Sequence, residues 1–359
     1  MVLDISTLII SRRGPVERQA CQQLELQRLI SSPIGQIHWQ ASLVRWVGNE
    51  DIISDRQLSP MKVGIVVSDR DDWTAQALMA SFSRKNVSAK FLDFSELISS
   101  IDGSLDFRCG ETDLLSLDAL VVRDLGRRGA VDVSFRFEAL TALVELGISV
   151  INPPEAISSA ANKYATSRRL HDASIPTPRT VVTTSPEIAE EALHSFGKAV
   201  SKPLFGYKGK DIILLNSIEQ SDIESLRRII EANGLVYLQE FITVASGSPR
   251  DIRAFVVDGR LQGAIYRNAP QGEWISNLAR GGRPTPGPKT RELEDLAVRS
   301  ARAVGAIYCG VDLLESKDGL TTIEVNGTPS GKGIYEALGI DVTEAIAQHV
   351  CSNLDHKKG

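Results

Sequence analysis

The chain has only four cysteines in 359 residues, and Cys21, Cys109, Cys309 and Cys351 stand far apart, with no C-x-x-C pair and no Cys/His ligand spacing. That spacing fits a reduced cytoplasm and excludes a structural zinc site. No run of about 18 apolar residues occurs, so no membrane span is expected. Near the N-terminus, basic Arg12 and Arg13 follow a short apolar stretch instead of preceding it, the wrong order for a secretory signal. Positive charge is also short: 40 Lys and Arg against 45 Asp and Glu leave a net charge of -5. Such a chain has no global attraction for a phosphate polymer, so nucleic acid is not expected as a partner. What the chain does not lack is apolar material. At 42% hydrophobic and 24% charged residues it falls outside the signature of disorder, and its length suits two or three domains.

Residues 1–60 are weakly patterned, with Trp39 and Trp46 among the breakers Gly14-Pro15 and Ser31-Ser32-Pro33, and are read as an N-terminal extension. Met61, a candidate alternative start, opens a short apolar run through Ser68 that predicts a buried strand, followed by a helix from Asp72 to Arg84. Strand-like runs at 89–94, 119–123 and 148–151 alternate with a helix at 134–145, whose Phe137, Leu140 and Val144 share a face. Alternation of this kind predicts a parallel α/β domain over 61–160. A helix at 162–171 should end at Ile175-Pro176-Thr177-Pro178, because proline disfavours helical geometry in the residue before it.

A second unit is expected over 161–350, with a smaller part at about 175–240, a larger one at about 241–350, and a tail from 351 to 359. Its strands are predicted at 180–183, 199–203, 212–215 and 236–242, and its helices at 186–196 and 221–232. Asp258-Gly259, between 251–257 and 261–267, is a type I′ hairpin signal. Residues 271–288 are rich in Gly and Pro and read as a long loop. Residues 291–304 put Leu293, Leu296, Ala297, Ser300 and Val304 on one helical face, and Gly305 is the expected stop.

The strongest local signal runs from Gly310 to Asn326. Two strands flank a three-residue loop, Lys317-Asp318-Gly319, which sets Ser316 opposite Leu320 and Asp312 opposite Glu324. Asn326 then shares a face with Glu324, because strand side chains alternate with period two. Two opposed carboxylates repel unless a hard cation such as Mg²⁺ lies between them; a solvated acidic edge is the alternative. A second signal, Lys202-Pro203-Leu204-Phe205-Gly206-Tyr207-Lys208-Gly209-Lys210-Asp211, is a strand end entering a Gly- and Lys-rich turn. Glycines let backbone N–H groups approach phosphate and lysines offset its charge, although an exposed basic turn reads the same way. Neither this turn nor Gly331-Lys332-Gly333 is a P-loop. Val236 to Ile242 is an apolar strand ending in polar Gln239 and Glu240, suited to hold an adenine by its backbone.

In order and spacing, these segments resemble ATP-grasp ligases: Asn162-Lys163, Lys202-Pro203 with its Gly loop, Gln239 to Ile242, Asp251-Ile252-Arg253, Ser276-Asn277, Gly310-Val311-Asp312 and Glu324-Val325-Asn326. The resemblance covers about residues 61–350 and is closest to the RimK-like branch, which joins glutamate or related amino acids to carboxylates. Residues 123–136, 151–155, 162–164 and 175–178 look most like tetrahydromethanopterin:glutamate ligases.

The resemblance implies an α/β ATP-grasp fold, with an N-terminal parallel α/β domain and two α+β subdomains enclosing the nucleotide. By the same resemblance, Lys163, Lys202, Gly206 and Gly209 match phosphate contacts, Gln239, Glu240, Phe241 and Ile242 the adenine hinge, and Asp251 a polar neighbour of the nucleotide. Arg267 and Asn277 match catalytic contacts at the phosphate and metal ends. Asp312, Glu324 and Asn326 match ligands of two Mg²⁺ (or Mn²⁺) ions. Arg123, Arg136, Arg253 and Arg280 are candidate substrate contacts. Tyr207 departs from the family's usual Ser and Asp211 from its usual Gly, which puts the loop geometry in question. The implied activity is ADP-forming ligation of L-glutamate to a small carboxylate such as a pterin, in the cytoplasm, with ATP as co-substrate and the oligomeric state open. Ligation to a carrier protein, ribosomal protein or other cofactor is the alternative within the class. A binding-only regulator is the alternative outside it, disfavoured by the intact Asp312, Glu324 and Asn326 set.

Overall fold

The structure, a computed structural model, describes residues 61–126, 130–206 and 210–358, together with the backbone of 26–29 and 38–41. By chain contacts residues 59–359 form one compact unit and residues 1–58 another. Of the second, β1 (Leu26–Leu29) and β2 (His38–Ala41) pair antiparallel. The rest of the N-terminal extension lies outside the described residues.

The first domain of the main unit is built on β3 (Lys62–Val66), β4 (Ser88–Leu92), β8 (Ala119–Val122) and β9 (Ser149–Ile151), a parallel sheet in the order β4-β3-β8-β9. Its central strands are almost wholly buried, as expected where helices cover both faces. Helices α1 (Trp73–Arg84), α2 (Ala130–Glu145) and α3 (Pro154–Ala161) belong to this domain. Asp72 caps α1 by accepting from Ala75 N, an arrangement worth about 1 kcal/mol. Between β4 and β8 the chain makes a small antiparallel sheet that the sequence does not announce: β5 (Leu97–Ile101), β6 (Leu105–Cys109) and β7 (Thr112–Asp113).

After α4 (Lys163–Asp172) comes the smaller lobe. Its strands are β10 (Thr180–Thr183), β11 (Lys198–Lys202), β12 (Ile213–Asn216) and β13 (Val236–Glu240), backed by α5 (Pro186–Phe196) and α6 (Gln220–Asn233). They form an antiparallel sheet in the order β10-β13-β11-β12. The larger lobe comprises β14 (Arg250–Val257), β15 (Arg260–Asn268), β16 (Arg283–Pro286), β17 (Tyr308–Ser316) and β18 (Gly319–Asn326). These make the antiparallel sheet β16-β15-β14-β17-β18. Asp258 and Gly259 turn β14 into β15 with φ of +50° and +66°, as the type I′ geometry expected of Asp-Gly requires. The loop expected at 271–288 contains β16, which pairs with β15 and includes two prolines, tolerated because the strand is an edge.

Helix α7 (Arg291–Val304) buries Leu293, Leu296, Ala297, Ser300, Ala301 and Val304, and its apolar members pack into the core of this lobe. Thr290 caps its start and Gly305, at φ +75°, ends it. Each large apolar side chain so buried contributes about 1.5 to 3 kcal/mol. Helix α8 (Lys332–Leu338) follows β18, and α9 (Val342–Lys358) continues through most of the residues expected to form a tail. α9 packs Val342, Ile346, Ala347, Val350 and Leu354 into a core that also holds Val63, Ile65 and Val121 of the first domain and Phe255, Val257, Ile265 and Tyr308 of the larger lobe. One continuous core therefore joins the first domain to the larger lobe. Among the described residues no helix is long and apolar enough to cross a membrane.

Candidate active site

The smaller and larger lobes together line a cavity of about 260 Å³. From the smaller lobe come Lys202 and the run Gln239 to Thr243. The larger lobe adds Arg250, Asp251, Arg267, Asp312 and Glu324, and the connecting loop adds Trp274 to Asn277. The cavity thus gathers Lys202, Gln239, Glu240, Phe241, Ile242, Asp251, Arg267, Asn277, Asp312 and Glu324 from the predicted set. Lys163, at the start of α4, approaches them, its Nζ 3.8 Å from Glu324 Oε1. Gly206 approaches the same ammonium: a Cβ placed there would stand 3.2 Å from Lys163 Nζ. Gly209 and Tyr207 lie outside the described residues. Asp211, in the family's usual glycine position, adopts φ +56°, so the backbone keeps a conformation that glycine favours and aspartate tolerates.

Lys202 is held by its own sheet. Its Nζ donates to Gln239 Oε1 at 2.7 Å, and Gln239 Nε2 donates to Tyr237 Oη (3.0 Å) and Thr180 Oγ1 (3.3 Å). Burial lowers the Lys202 pKa, and the nearby Glu324 charge opposes that shift. Beside it, the Glu240 carboxylate takes two bonds from Arg179, at 3.0 and 2.9 Å. Those bonds hold Glu240 below the usual carboxylate range despite partial burial. With its side chain so engaged, the hinge offers a base its backbone. Phe241 meets Trp274 edge to face in the cavity lining, ring centroids 6.0 Å apart. Trp274 escaped the sequence reading because a lone aromatic in a Gly/Pro-rich stretch carries no periodic signal.

The larger lobe contributes a buried charge network. Arg253 on β14 forks onto Asp312, with Nη2 at 2.9 Å from Oδ2. Arg267 on β15 binds both Asp251 and Asp312, the latter at 2.8 Å. Burial alone would raise the Asp312 pKa, but the two guanidiniums outweigh it and hold the carboxyl below its usual range. Burial opposes charge on Arg267 too, and the two aspartates more than compensate. The register pairs Asp312 with Glu324 and Gly310 with Asn326, so the expected opposition of the two carboxylates is present, but by another route. The loop has two residues instead of three, Ser316 pairing with Gly319, and a bulge between Asp312 and Leu313 restores the opposition. The Asp312 side chain is 3% exposed and that of Glu324 34%, so only the latter presents its carboxylate to the cavity freely.

Of the arginines considered for substrate, Arg253 is engaged with Asp312 as above, and Arg280 lies exposed in the turn Leu278–Arg280. Arg123 and Arg136 are buried and directed inward: Arg123 to Pro329 O and Asp72, Arg136 to Leu125 O and Asp132.

The RimK-like ATP-grasp domain family matches residues 160–350. The chain belongs to the RimK-like ATP-grasp family. A tetrahydromethanopterin:alpha-L-glutamate ligase of Methanosarcina acetivorans is 41% identical over 321 residues, covering 80% of this chain and 98% of that protein. A ligase of the same name from Methanococcus maripaludis is 33% identical over 80% of this chain and 96% of its own. Among solved structures, the ATP-grasp ligase PsnB, complexed with a phosphomimetic variant of minimal precursor, Mg and ADP, superposes with a TM-score of 0.64. It covers 81% of this chain and 98% of its own at 20% identity, a likeness of fold. This RimK-like ATP-grasp protein is an ATP-dependent carboxylate–amine ligase.

Proposed function

We propose that this RimK-like enzyme joins L-glutamate to the carboxylate of tetrahydromethanopterin, with ATP converted to ADP and phosphate. The observation that carries the substrate is the similarity over 80% of the chain, at 41% identity, to a protein of that name. The substrate carboxylate oxygen attacks the γ-phosphorus of ATP and ADP leaves. The amine of glutamate then attacks the acyl carbon and phosphate leaves, with one amine proton lost to solvent.

The cavity supports this reading by its charge. Lys202 and Lys163 stand where they can hold phosphate oxygens, and charge-assisted bonds of that kind are the strong ones. Trp274 and Phe241 supply apolar faces for the base. Arg267 and Asn277 line the same cavity, where fixed donors stabilise oxygens that gain charge during transfer. Asp312 and Glu324 line the cavity and Asn326 stands two residues beyond Glu324 on β18, so the three would offer Mg²⁺ oxygen donors of the kind it takes. Asp312 fits it even while bonded to two arginines, because a carboxylate has about four acceptor sites. Among the described residues no group of three His, Cys, Asp or Glu side chains could hold a metal alone, so Mg²⁺ held here would keep water and phosphate oxygens in its shell. Mg²⁺, when bound, neutralises charge on the phosphates and holds them in line.

The test is a product mass. With ATP, Mg²⁺, L-glutamate and tetrahydromethanopterin, the pterin should gain one glutamyl residue. ADP release with a carrier protein or another carboxylate, and no gain on the pterin, would replace the acceptor.

A further inference from the structure

The carboxyl ends of β8 and β9 continue into Arg123 and Asn152, and both side chains reach out of the first domain to the end of the β17–β18 hairpin. Asn152 is fully buried and uses its whole amide. Its Oδ1 accepts from Ile307 N (2.8 Å) and Tyr308 N (2.9 Å), and its Nδ2 donates to Tyr308 O (2.7 Å) and Gly327 O (2.6 Å). Tyr308 opens β17, the strand of Asp312, and Gly327 directly follows Asn326 at the end of β18. One amide therefore bonds both strands where they part, just past the last register pair, Gly310 and Asn326.

Two neighbours extend the clasp. Arg123 Nη1 donates to Pro329 O at 2.8 Å, and Gly331 N donates to Thr74 Oγ1 at 3.0 Å. Asn326 Oδ1 meanwhile accepts from Thr328 N at 2.9 Å, so its orientation depends on the segment the clasp holds. Strand ends beyond their last pair fray unless something replaces the missing ladder bonds, because unpaired backbone groups are costly when buried. Here the replacement comes from another domain.

We propose that Asn152, assisted by Arg123, is a positioning residue that fixes the spacing of β17 and β18 where Glu324 pairs with Asp312 and Asn326 with Gly310, and so sets the metal-binding geometry. The inference rests on the reading of Asp312, Glu324 and Asn326 as metal ligands. Groups that orient metal ligands without touching the ion typically carry a 10- to 100-fold share of affinity.

The experiment is a Mn²⁺ titration followed by electron paramagnetic resonance, with ADP present, on wild type, Glu324→Gln, Asn152→Ala and Arg123→Lys, alongside thermal unfolding and metal-free ADP binding. Wild type should bind Mn²⁺ and Glu324→Gln should lose it. Asn152→Ala should bind it about 10- to 100-fold more weakly with metal-free ADP affinity unchanged. Arg123→Lys, which keeps the charge but loses the bond to Pro329 O, should show a smaller shift in the same direction. If Glu324→Gln binds Mn²⁺ like wild type, the metal reading fails and takes the inference with it. If Glu324→Gln loses the ion while folded Asn152→Ala and Arg123→Lys keep wild-type affinity, the metal reading stands and the positioning role is overturned. Where Asn152→Ala does not fold, Arg123→Lys decides; if neither folds, the clasp serves the fold alone and the proposal is overturned.

Discussion

Lys202 Nζ lies 2.7 Å from Gln239 Oε1, and the far side of that amide is tied through Tyr237 Oη to Ser167 Oγ at 2.7 Å. The chain of bonds starts on α4, crosses β13 and ends on a lysine of β11 in the cavity. Because Gln239 donates to Tyr237, its oxygen must face Lys202, and the ammonium is held in one place before any phosphate arrives. Preorganisation of this kind lowers the cost of ordering a flexible side chain on binding.

Lys202→Met should therefore weaken ATP binding. Methionine fills similar space, so the fold is retained, while a charge-assisted contact worth about 1.5 to 3 kcal/mol is lost. That corresponds to about one to two decades in the dissociation constant, measured by calorimetry. An unchanged constant would remove Lys202 from the phosphate site.

Glu324→Ala should abolish ligation and leave the fold intact. The Glu324 side chain is a third exposed, and its ion pair with the largely buried Lys163 is a long one at 3.8 Å. Excess chelator added to wild type should have the same effect. Turnover by the folded variant, followed by ADP release, would contradict the metal role of this carboxylate.

Much of this site is legible in the sequence because several of its residues, Lys202, Glu240 and Asn326 among them, close strands. The β14–β15 turn follows from Asp258-Gly259 alone. The opposition of Asp312 and Glu324 was also legible, though the expected three-residue loop is absent and a bulge compensates. Bulges leave no periodic trace, so that compensation could not be read. The β5–β7 sheet was missed for a related reason: Ile98 and Ile101 lie exposed and blur the inside-outside alternation. Side-chain direction was the other blind point. Arg123 and Arg136 read as candidate substrate contacts, and the fold draws both guanidiniums inward. Asn152 entered only as part of the segment 151–155, and its bonds to Ile307, Tyr308 and Gly327 could not be read because those partners lie far away in sequence.

Cys109 and Cys309 should resist alkylation in the native protein. Burial pushes the Cys109 thiol up to about 11, with Glu96 and Asp93 adding to it, and the Cys309 thiol up to about 12. A raised thiol pKa leaves less thiolate at a given pH, and only the thiolate reacts. Iodoacetamide at about pH 8, slightly below the ordinary thiol pKa, followed by peptide mass spectrometry, should find both unmodified until denaturant is added. Modification of either in the folded protein would show that the local core opens.

Gly310→Ala should damage the charge network without replacing any of its members. A Cβ at this position would stand 2.7 Å from Arg253 Cδ, closer than real side chains approach. The conflict is with the middle of the arginine stem, and the guanidinium beyond it is fixed on Asp312 by two bonds. Relief by moving Arg253 therefore releases Asp312, and relief by moving β17 strains a strand whose burial is complete from Tyr308 to Leu313. Overpacking of this kind costs about 1 to 3 kcal/mol, so the melting temperature should fall by several degrees. The rate should fall more than the stability explains, because Asp312 loses one of the two guanidiniums that set its place. Arg253→Ala makes room for the methyl, so a double variant separates the two effects. If Gly310→Ala destabilises the Arg253→Ala protein as much as it destabilises wild type, the crowding lies elsewhere and this account of Gly310 fails.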